Sequence, residues 1–245
     1  MKNSIENNKI LWNEKYKWEK NGDEWNGQAI TCKMPYEDWK QSMYQNLIIP
    51  NLNQDSIVLE IGAGHGRWSS LLATAAGTLY LVDLSLNCIE FCKKLFVSQS
   101  HIKYFVNDGK SLSGIESLSI DFVWSYDTFV HMDKNSIDSY LSEIYRVLRS
   151  GGRAIIHHPG RSHFFLFLGF IRHLGRLGNG LYRFISMRQL KDIDGWRSNV
   201  SRLLFKKLAT QNGLEIIDQL QYWDKKHKIG VPRFNDYISI LGKKN

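Results

Sequence analysis

The 245-residue chain is poor in proline, with four, and in cysteine, with three at positions 32, 88 and 92. So few prolines leave no proline-rich linker. No low-complexity tract or internal repeat is visible either, so one domain carrying insertions is expected. Cys32, Cys88 and Cys92 cannot all pair with one another and match no common zinc spacing, which points to a reduced, cytoplasmic protein. Long apolar runs are missing too. Phe164 to Leu168, with Phe170 and Ile171 beyond, falls short of the roughly 18–20 residues of a membrane span. The start, MKNSIENNKI, has no apolar signal core. Acidic residues thin out toward the end: residues 146–245 hold 6 Asp/Glu against 19 Lys/Arg, whereas residues 1–145 hold 18 against 13. A basic C-terminal part favours an anionic partner, the alternative being that these side chains only solvate a surface.

What is present, at 43% apolar residues, is enough to fill a sizeable core. From residue 57 onward, short β-rich runs alternate with helical patterns, as in βαβ units. The expected strands are 57–61, 79–83, 102–106, 121–125, 153–158, 214–220 and 236–241. Ile137, Tyr140, Leu141, Ile144, Val147 and Leu148 recur at helical spacing before Ser150-Gly151-Gly152, where that helix is expected to stop. The fold class is therefore α/β, a doubly wound, seven-stranded, mostly parallel sheet. Residues 1–50, rich in tryptophan and tyrosine, form an N-terminal cap over a sheet edge. Residues 159–213 are a helical insert or lid between strands five and six, too long for a simple crossover. Residues 214–245 supply the last strands.

Chemistry concentrates in residues 51–158. The run VLEIGAGHGRW, Val58 to Trp68, is an apolar strand ending in an acid, then Gly62, Gly64 and Gly66 at alternate positions, then a helix start. Glycines there let a ligand rest against the strand-to-helix turn, and Glu60 can hold an ammonium group. The G-x-G-x-G spacing departs from the dinucleotide G-x-G-x-x-G, which disfavours a nicotinamide enzyme. Asp83 ends the next strand 21 residues after Gly62, followed by Leu84, where a carboxylate can accept both hydroxyls of a ribose. Asp108-Gly109 lies just past the third strand, where an acid can accept an adenine amino group.

These motifs resemble the class I S-adenosylmethionine-dependent methyltransferases. With NGDEW (Asn21 to Trp25), VNDGKSL, DFVWSYDTFVHM (Asp121 to Met132) and YLSEIYRVLRSGGRAIIHH (Tyr140 to His158), the chain is similar to a bacterial subgroup associated with saccharide or natural-product tailoring. The resemblance covers roughly residues 12–158. It implies S-adenosylmethionine as cofactor, with Glu60 at its methionine end, Asp83 at the ribose and Asp108 at the adenine. After His158 the chain reads Pro159-Gly160, where the subgroup tends to have Ser-Asn, and the insert departs from the pattern.

Reacting atoms in open α/β sheets lie beyond the carboxyl ends of the strands, which brings forward Asp127 and His131 after strand four and His157 and His158 ending strand five. A neutral histidine is a suited base for a hydroxyl acceptor, with an aspartate to fix its tautomer. His131 is the first candidate. His157 and His158 point to opposite faces, so only one of them serves as the second. A metal held by Asp127, His131 and a strand-five histidine is the competing arrangement, but no adjacent carboxylate pair supports it, so no metal is expected. Trp25 can stack on a substrate ring. Phe164 and Phe165 open the apolar, arginine-edged stretch 163–184, which can cover a lipophilic acceptor, form a dimer contact or lie on the inner membrane surface. The expected acceptor is a small molecule, lipophilic or anionic, methylated on a hydroxyl. A nitrogen acceptor, RNA and cofactor binding without catalysis are the alternatives. No base-amino or pyrimidine-carbon methylation motif favours nucleic acid.

Overall fold

A computed structural model describes residues 4–160, 175–178 and 197–243. Seven strands form one sheet in the order β3-β2-β1-β4-β5-β9-β6, and a separate two-stranded ribbon pairs β7 with β8. The ranges are β1 Ile57–Ile61, β2 Thr78–Asp83, β3 Ile102–Val106, β4 Ile120–Ser125, β5 Leu148–His158, β6 Glu215–Leu220, β7 Tyr222–Asp224, β8 Ile229–Gly230 and β9 Tyr237–Gly242. β1 to β5 run parallel, and β9 inserts antiparallel between β5 and β6. The chain leaves β1 in one direction to reach β2 and β3 and returns on its other side to β4, so a crevice opens beyond the ends of β1 and β4.

The helices follow local signals. Helix α1 (Ile5–Ile10) is capped by Ser4, α5 (Leu86–Leu95) by Ser85, α6 (Lys134–Val147) by Asp133 and α7 (Arg202–Gln211) by Ser201. Each cap side chain accepts a backbone N–H of the first turn. Helices α2 (Gly27–Thr31), α3 (Tyr36–Met43) and α4 (Ser69–Ala75) flank the same strands. Helix α6 buries Ile137, Tyr140, Leu141, Ile144 and Val147 against one face of the sheet, together with Phe205 and Leu208 of α7. The other face packs on Trp39, Met43, Leu47, Ile48, Trp68 and Leu72.

Two expected bounds differ in the structure, and two features go beyond what was expected. Helix α6 stops at Val147 rather than at Ser150-Gly151-Gly152, because Leu148 already pairs with Ile120 and the strand passes an irregularity before Arg153. The insert is shorter at its far end, since α7 is the ordinary crossover helix into β6. The β7–β8 ribbon, too short to carry a periodic signal, was not expected. The N-terminal aromatics divide into two groups. Trp39 is fully buried in the core and donates through Nε1 to Gly230 O at 2.9 Å, whereas Trp12, Trp18 and Trp25 cover the crevice. Phe164, Phe165 and most of the stretch 163–184 lie outside the described residues.

Candidate active site

The turn after β1 places backbone where side chains would otherwise stand. Gly62, Gly64 and Gly66 all have positive φ, at 80°, 53° and 84°. A Cβ on Gly62 would lie 2.1 Å from Thr128 Oγ1, and one on Gly64 2.8 Å from the Trp18 ring. Alanine there carries both a conformational and a steric penalty. The resulting cavity is lined by Glu60, Gly62, Gly64, Asp83, Leu84 and Gly109 on the sheet side and by Ile5, Asn8, Trp12, Trp18 and Trp25 from the N-terminal segment. That segment is pinned across the crevice. Asn13 accepts from Ser85 Oγ at 3.0 Å, Asn87 Nδ2 donates to Asn13 O at 2.6 Å, and Asn8 Nδ2 donates to His131 O at 2.8 Å. The Trp18 and Phe91 rings stack on His65 at 4.5 and 3.9 Å.

Of the three carboxyl groups lining this cavity, Glu60 and Asp83 stand at the strand ends in different settings. Asp83 accepts from Gly64 N–H and Ser85 N–H, both at 2.8 Å, which partly offsets a burial that raises its pKa. Its remaining lone pairs suit a vicinal diol. Glu60 is 2% exposed and accepts one hydrogen bond, from Ser69 Oγ at 2.6 Å. Burial pushes its pKa up to about 8 against that bond, and the nearby Asp83 adds to the rise. No salt bridge reaches it among the described residues, so an arriving ammonium group would supply the missing positive charge. This donor set and the glycine cradle fit S-adenosylmethionine. Asp108 stands apart. It is exposed and does not line the cavity, and its carboxylate accepts from Lys110 and Ser111 N–H, which hold its pKa low despite some burial.

A second cavity adjoins the first and is lined by Tyr16, Gln28, Arg197, Arg233, Phe234 and Asp236 among others. The two share Trp25, Asp127 and His131. His131 ends a short 3-10 turn, Phe129–His131, fastened by Ser198 N–H to Val130 O at 2.6 Å, and its ring meets Trp12 edge-on at 5.3 Å. Asp127 sits at φ 58°, a left-handed conformation that aspartate tolerates better than most residues. Arg67 Nη1 donates to Asp127 Oδ2 at 2.8 Å. Burial opposes the charge of Asp127, but the His157 hydrogen bond and Arg67 outweigh it, so the group stays ionised and weakly basic.

Behind this wall runs a buried chain of charges. His157 is 1% exposed, with Nδ1 3.1 Å from Asp127 Oδ1 and Nε2 3.3 Å from Asp236 Oδ2, the latter close enough for attraction but poorly aligned for a hydrogen bond. Burial disfavours its imidazolium, yet the carboxylates on both sides raise its pKa above the ordinary value. Arg197 closes the far end on Asp236. His157 therefore ties two walls together and lines neither cavity. His158 faces the other way. It is stacked on Phe205 at 3.7 Å, is hydrogen-bonded to Pro159 O and Ser239 Oγ, and is held neutral by a burial that lowers its pKa to about 3. Among the described residues, no group of three or more His, Cys, Asp or Glu can hold a metal.

Sequence reasoning missed Asp236, Arg233 and Gln28. One signal for Asp236 was available: it directly precedes an apolar strand. An antiparallel neighbour of β5 begins at the same sheet edge at which β5 ends.

A model of the methyltransferase domain family matches residues 59–156. Among solved structures, the chain is similar to an S-adenosylmethionine-dependent methyltransferase from Clostridium acetobutylicum, with TM-score 0.62, 15% identity, 89% of this chain and 96% of that one. It is also similar to a TehB-like methyltransferase from Corynebacterium glutamicum, with TM-score 0.55, 18% identity and coverages of 85% and 96%. A third likeness is to an S-adenosylmethionine-dependent methyltransferase from Methanosarcina mazei, with TM-score 0.54, 18% identity and coverages of 81% and 97%. These identities speak to the fold, and the matched stretch contains the glycine turn, Asp83, Asp127 and His131. Residues 59–156 match a methyltransferase domain, and the chain shares the fold of the S-adenosylmethionine-dependent methyltransferases named above.

Proposed function

We propose that the protein transfers a methyl group to a hydroxyl of a small molecule, of the sugar, glycolipid or lipophilic natural-product class. In this reading the cofactor occupies the glycine-turn cavity and the acceptor the adjoining one. The observation that carries it is the shared wall: Trp25, Asp127 and His131 line both cavities, so groups held in each can meet there. Glu60 holds the ammonium group of the cofactor, Asp83 its ribose, and Leu84 and Gly109 flank the base. Asp108 acts only by shaping the turn that carries Gly109. When bound, the cofactor supplies a methyl group on a positively charged sulfur, open to in-line attack. The protein's share is then alignment and one proton.

His131 accepts the hydroxyl proton as the oxygen–methyl bond forms and the methyl–sulfur bond breaks, leaving an ether, a thioether and an imidazolium. Asp127 is the poorer base, because Arg67 and His157 already engage its carboxylate. Its negative charge stabilises the imidazolium that forms beside it. Trp25 offers a ring face to the acceptor, and its buried Nε1 has no partner among the described residues. His157 and His158 have structural roles, the first holding Asp127 in place and the second packing β5 on α7. The N-terminal segment serves as a lid over the cofactor.

Mass spectrometry for a gain of one methyl group on a panel of hydroxyl and amine acceptors tests the reading, comparing wild type with His131→Ala and His158→Ala. Loss of at least about 100-fold in the first, with near-wild-type turnover in the second at temperatures where both are folded, is expected for a general base. Equal turnover in wild type and His131→Ala contradicts the base assignment. Methylation confined to amines contradicts the hydroxyl.

A further inference from the structure

The second cavity holds a cation with no carboxylate of its own. Of its four acids, three are already committed. Glu24 accepts from Tyr16 OH and from the backbone N–H of Glu19, Lys20 and Gly22. Asp127 is held by Arg67 and His157, and Asp236 by Arg197, Gln28 and His157. Glu19 is exposed at the rim with Lys15 and Lys17. Arg233 lines the cavity, half-buried, and no salt bridge reaches it among the described residues.

Its position is built rather than incidental. Arg233 N–H donates to Gln28 Oε1 at 2.9 Å, and Gln28 Nε2 donates back to Arg233 O at 3.3 Å and to Asp236 Oδ2 at 3.2 Å. Gln28 itself is buried. The guanidinium lies over Gly27, where a Cβ would fall 1.3 Å from Arg233 Nη1, so a side chain at 27 would have to displace it. The guanidiniums of Arg197 and Arg233 lie 4.5 and 4.6 Å from the Phe234 ring centre. Phe234 and Asn235 both have left-handed φ, at 60° and 57°, a conformation unfavourable for residues with a Cβ and one that concentrates at binding sites. Gln221 Nε2 to Asn235 Oδ1 at 3.0 Å and Asn235 N–H to Pro232 O at 3.1 Å hold this turn.

We propose that Arg233 binds an anionic group of the acceptor, a carboxylate or a phosphate, and so makes the enzyme selective for anionic acceptors. This rests on the assignment of the second cavity to the acceptor. A planar guanidinium held on an aromatic ring matches both oxyanions through two parallel N–H···O bonds. With the anion anchored there, the acceptor extends past Trp25 toward His131.

The test measures binding of inorganic phosphate and of benzoate to the protein loaded with S-adenosylhomocysteine, in wild type, Arg233→Gln and Arg233→Lys. Cofactor affinity from the same titrations reports that each variant is folded. Wild type is expected to bind at least one anion, Arg233→Gln to bind it about 10-fold more weakly or worse, and Arg233→Lys to fall between, since the charge remains but the fork is lost. Equal anion affinity in wild type and Arg233→Gln, or binding of neither anion, overturns the proposal. Vesicles with and without anionic lipid separate a headgroup from a soluble anion: retention on anionic vesicles that Arg233→Gln abolishes identifies the headgroup as the source. Methylation of matched anionic and neutral acceptors at equal rates by wild type overturns the selectivity while leaving the cavity assignment standing. Arg233-dependent anion binding that does not slow methyl transfer overturns the cavity assignment instead.

Discussion

The two cavities that meet at His131 are made differently. The floor of the first is assembled from successive parallel strand ends, with Glu60, Gly62, Gly64, Asp83 and Leu84 all within 25 residues of chain, and residues 5–25 close over it. The second gathers residues from 11–28, 127–131, 197 and 233–236, which only the finished sheet brings together. A cavity of the first kind is held by backbone geometry, because three positive-φ glycines fix its shape. The second is held by charge: Arg67, Asp127, His157, Asp236 and Arg197 form a continuous line, buried at its centre, that reaches its wall from the first cavity. Local backbone devices tolerate change elsewhere in the fold, whereas a charge line fails wherever it is cut.

Cutting that line should have the largest effect. Asp236→Asn leaves Arg197 without its carboxylate and His157 with Asp127 alone, and stability measured by denaturant unfolding should fall by about 3–5 kcal/mol. Asp108→Asn, at an exposed acid beside the first cavity, should change it by about 0.5 kcal/mol or less. Comparable losses in the two variants would erase the distinction drawn here. Next in size, Gly62→Ala must adopt a left-handed conformation at roughly 1–2 kcal/mol and displace Thr128, so cofactor affinity by calorimetry should fall about 10-fold or more with the second cavity intact. Undiminished affinity would mean that the turn is not the cradle.

The smallest effect sharpens the electrostatics of the first cavity. Glu60 has a folded pKa of about 8, above its ordinary 4.5, so the folded protein without ligand binds the extra proton and loses relative stability as pH rises from about 4.5 to 8. An ammonium group favours the ionised carboxylate, so cofactor binding near pH 7 should release up to about one proton from this site. Calorimetry in buffers of different ionisation enthalpy reads that release, and Glu60→Gln should abolish it. An unchanged proton count in the variant would place the cationic end of the cofactor elsewhere.

The same contrast governs how much was legible in the sequence. The seven sheet strands were found because alternation and turn chemistry are local, and Glu60, the glycines and Asp83 stand at strand ends that periodicity locates. Asp108 sits where an adenine partner belongs, but its own Asx turn turns the carboxylate to Lys110 and Ser111. His157 and His158 looked equivalent as adjacent strand residues, and only packing separates a charge-line member from a neutral core residue stacked on Phe205. Arg233 and Asp236 were missed because the antiparallel insertion of β9 beside β5, a pairing over 80 residues of chain, brings them to the crevice. Nothing local marks that return.

The most direct test of the two-cavity account is a crystal structure with S-adenosylhomocysteine. It should show the ammonium group against Glu60, the ribose hydroxyls against Asp83, and the sulfur facing the opening between Asp127 and His131. A ligand whose sulfur faces away from that opening, or one bound outside the glycine-turn cavity, would contradict it.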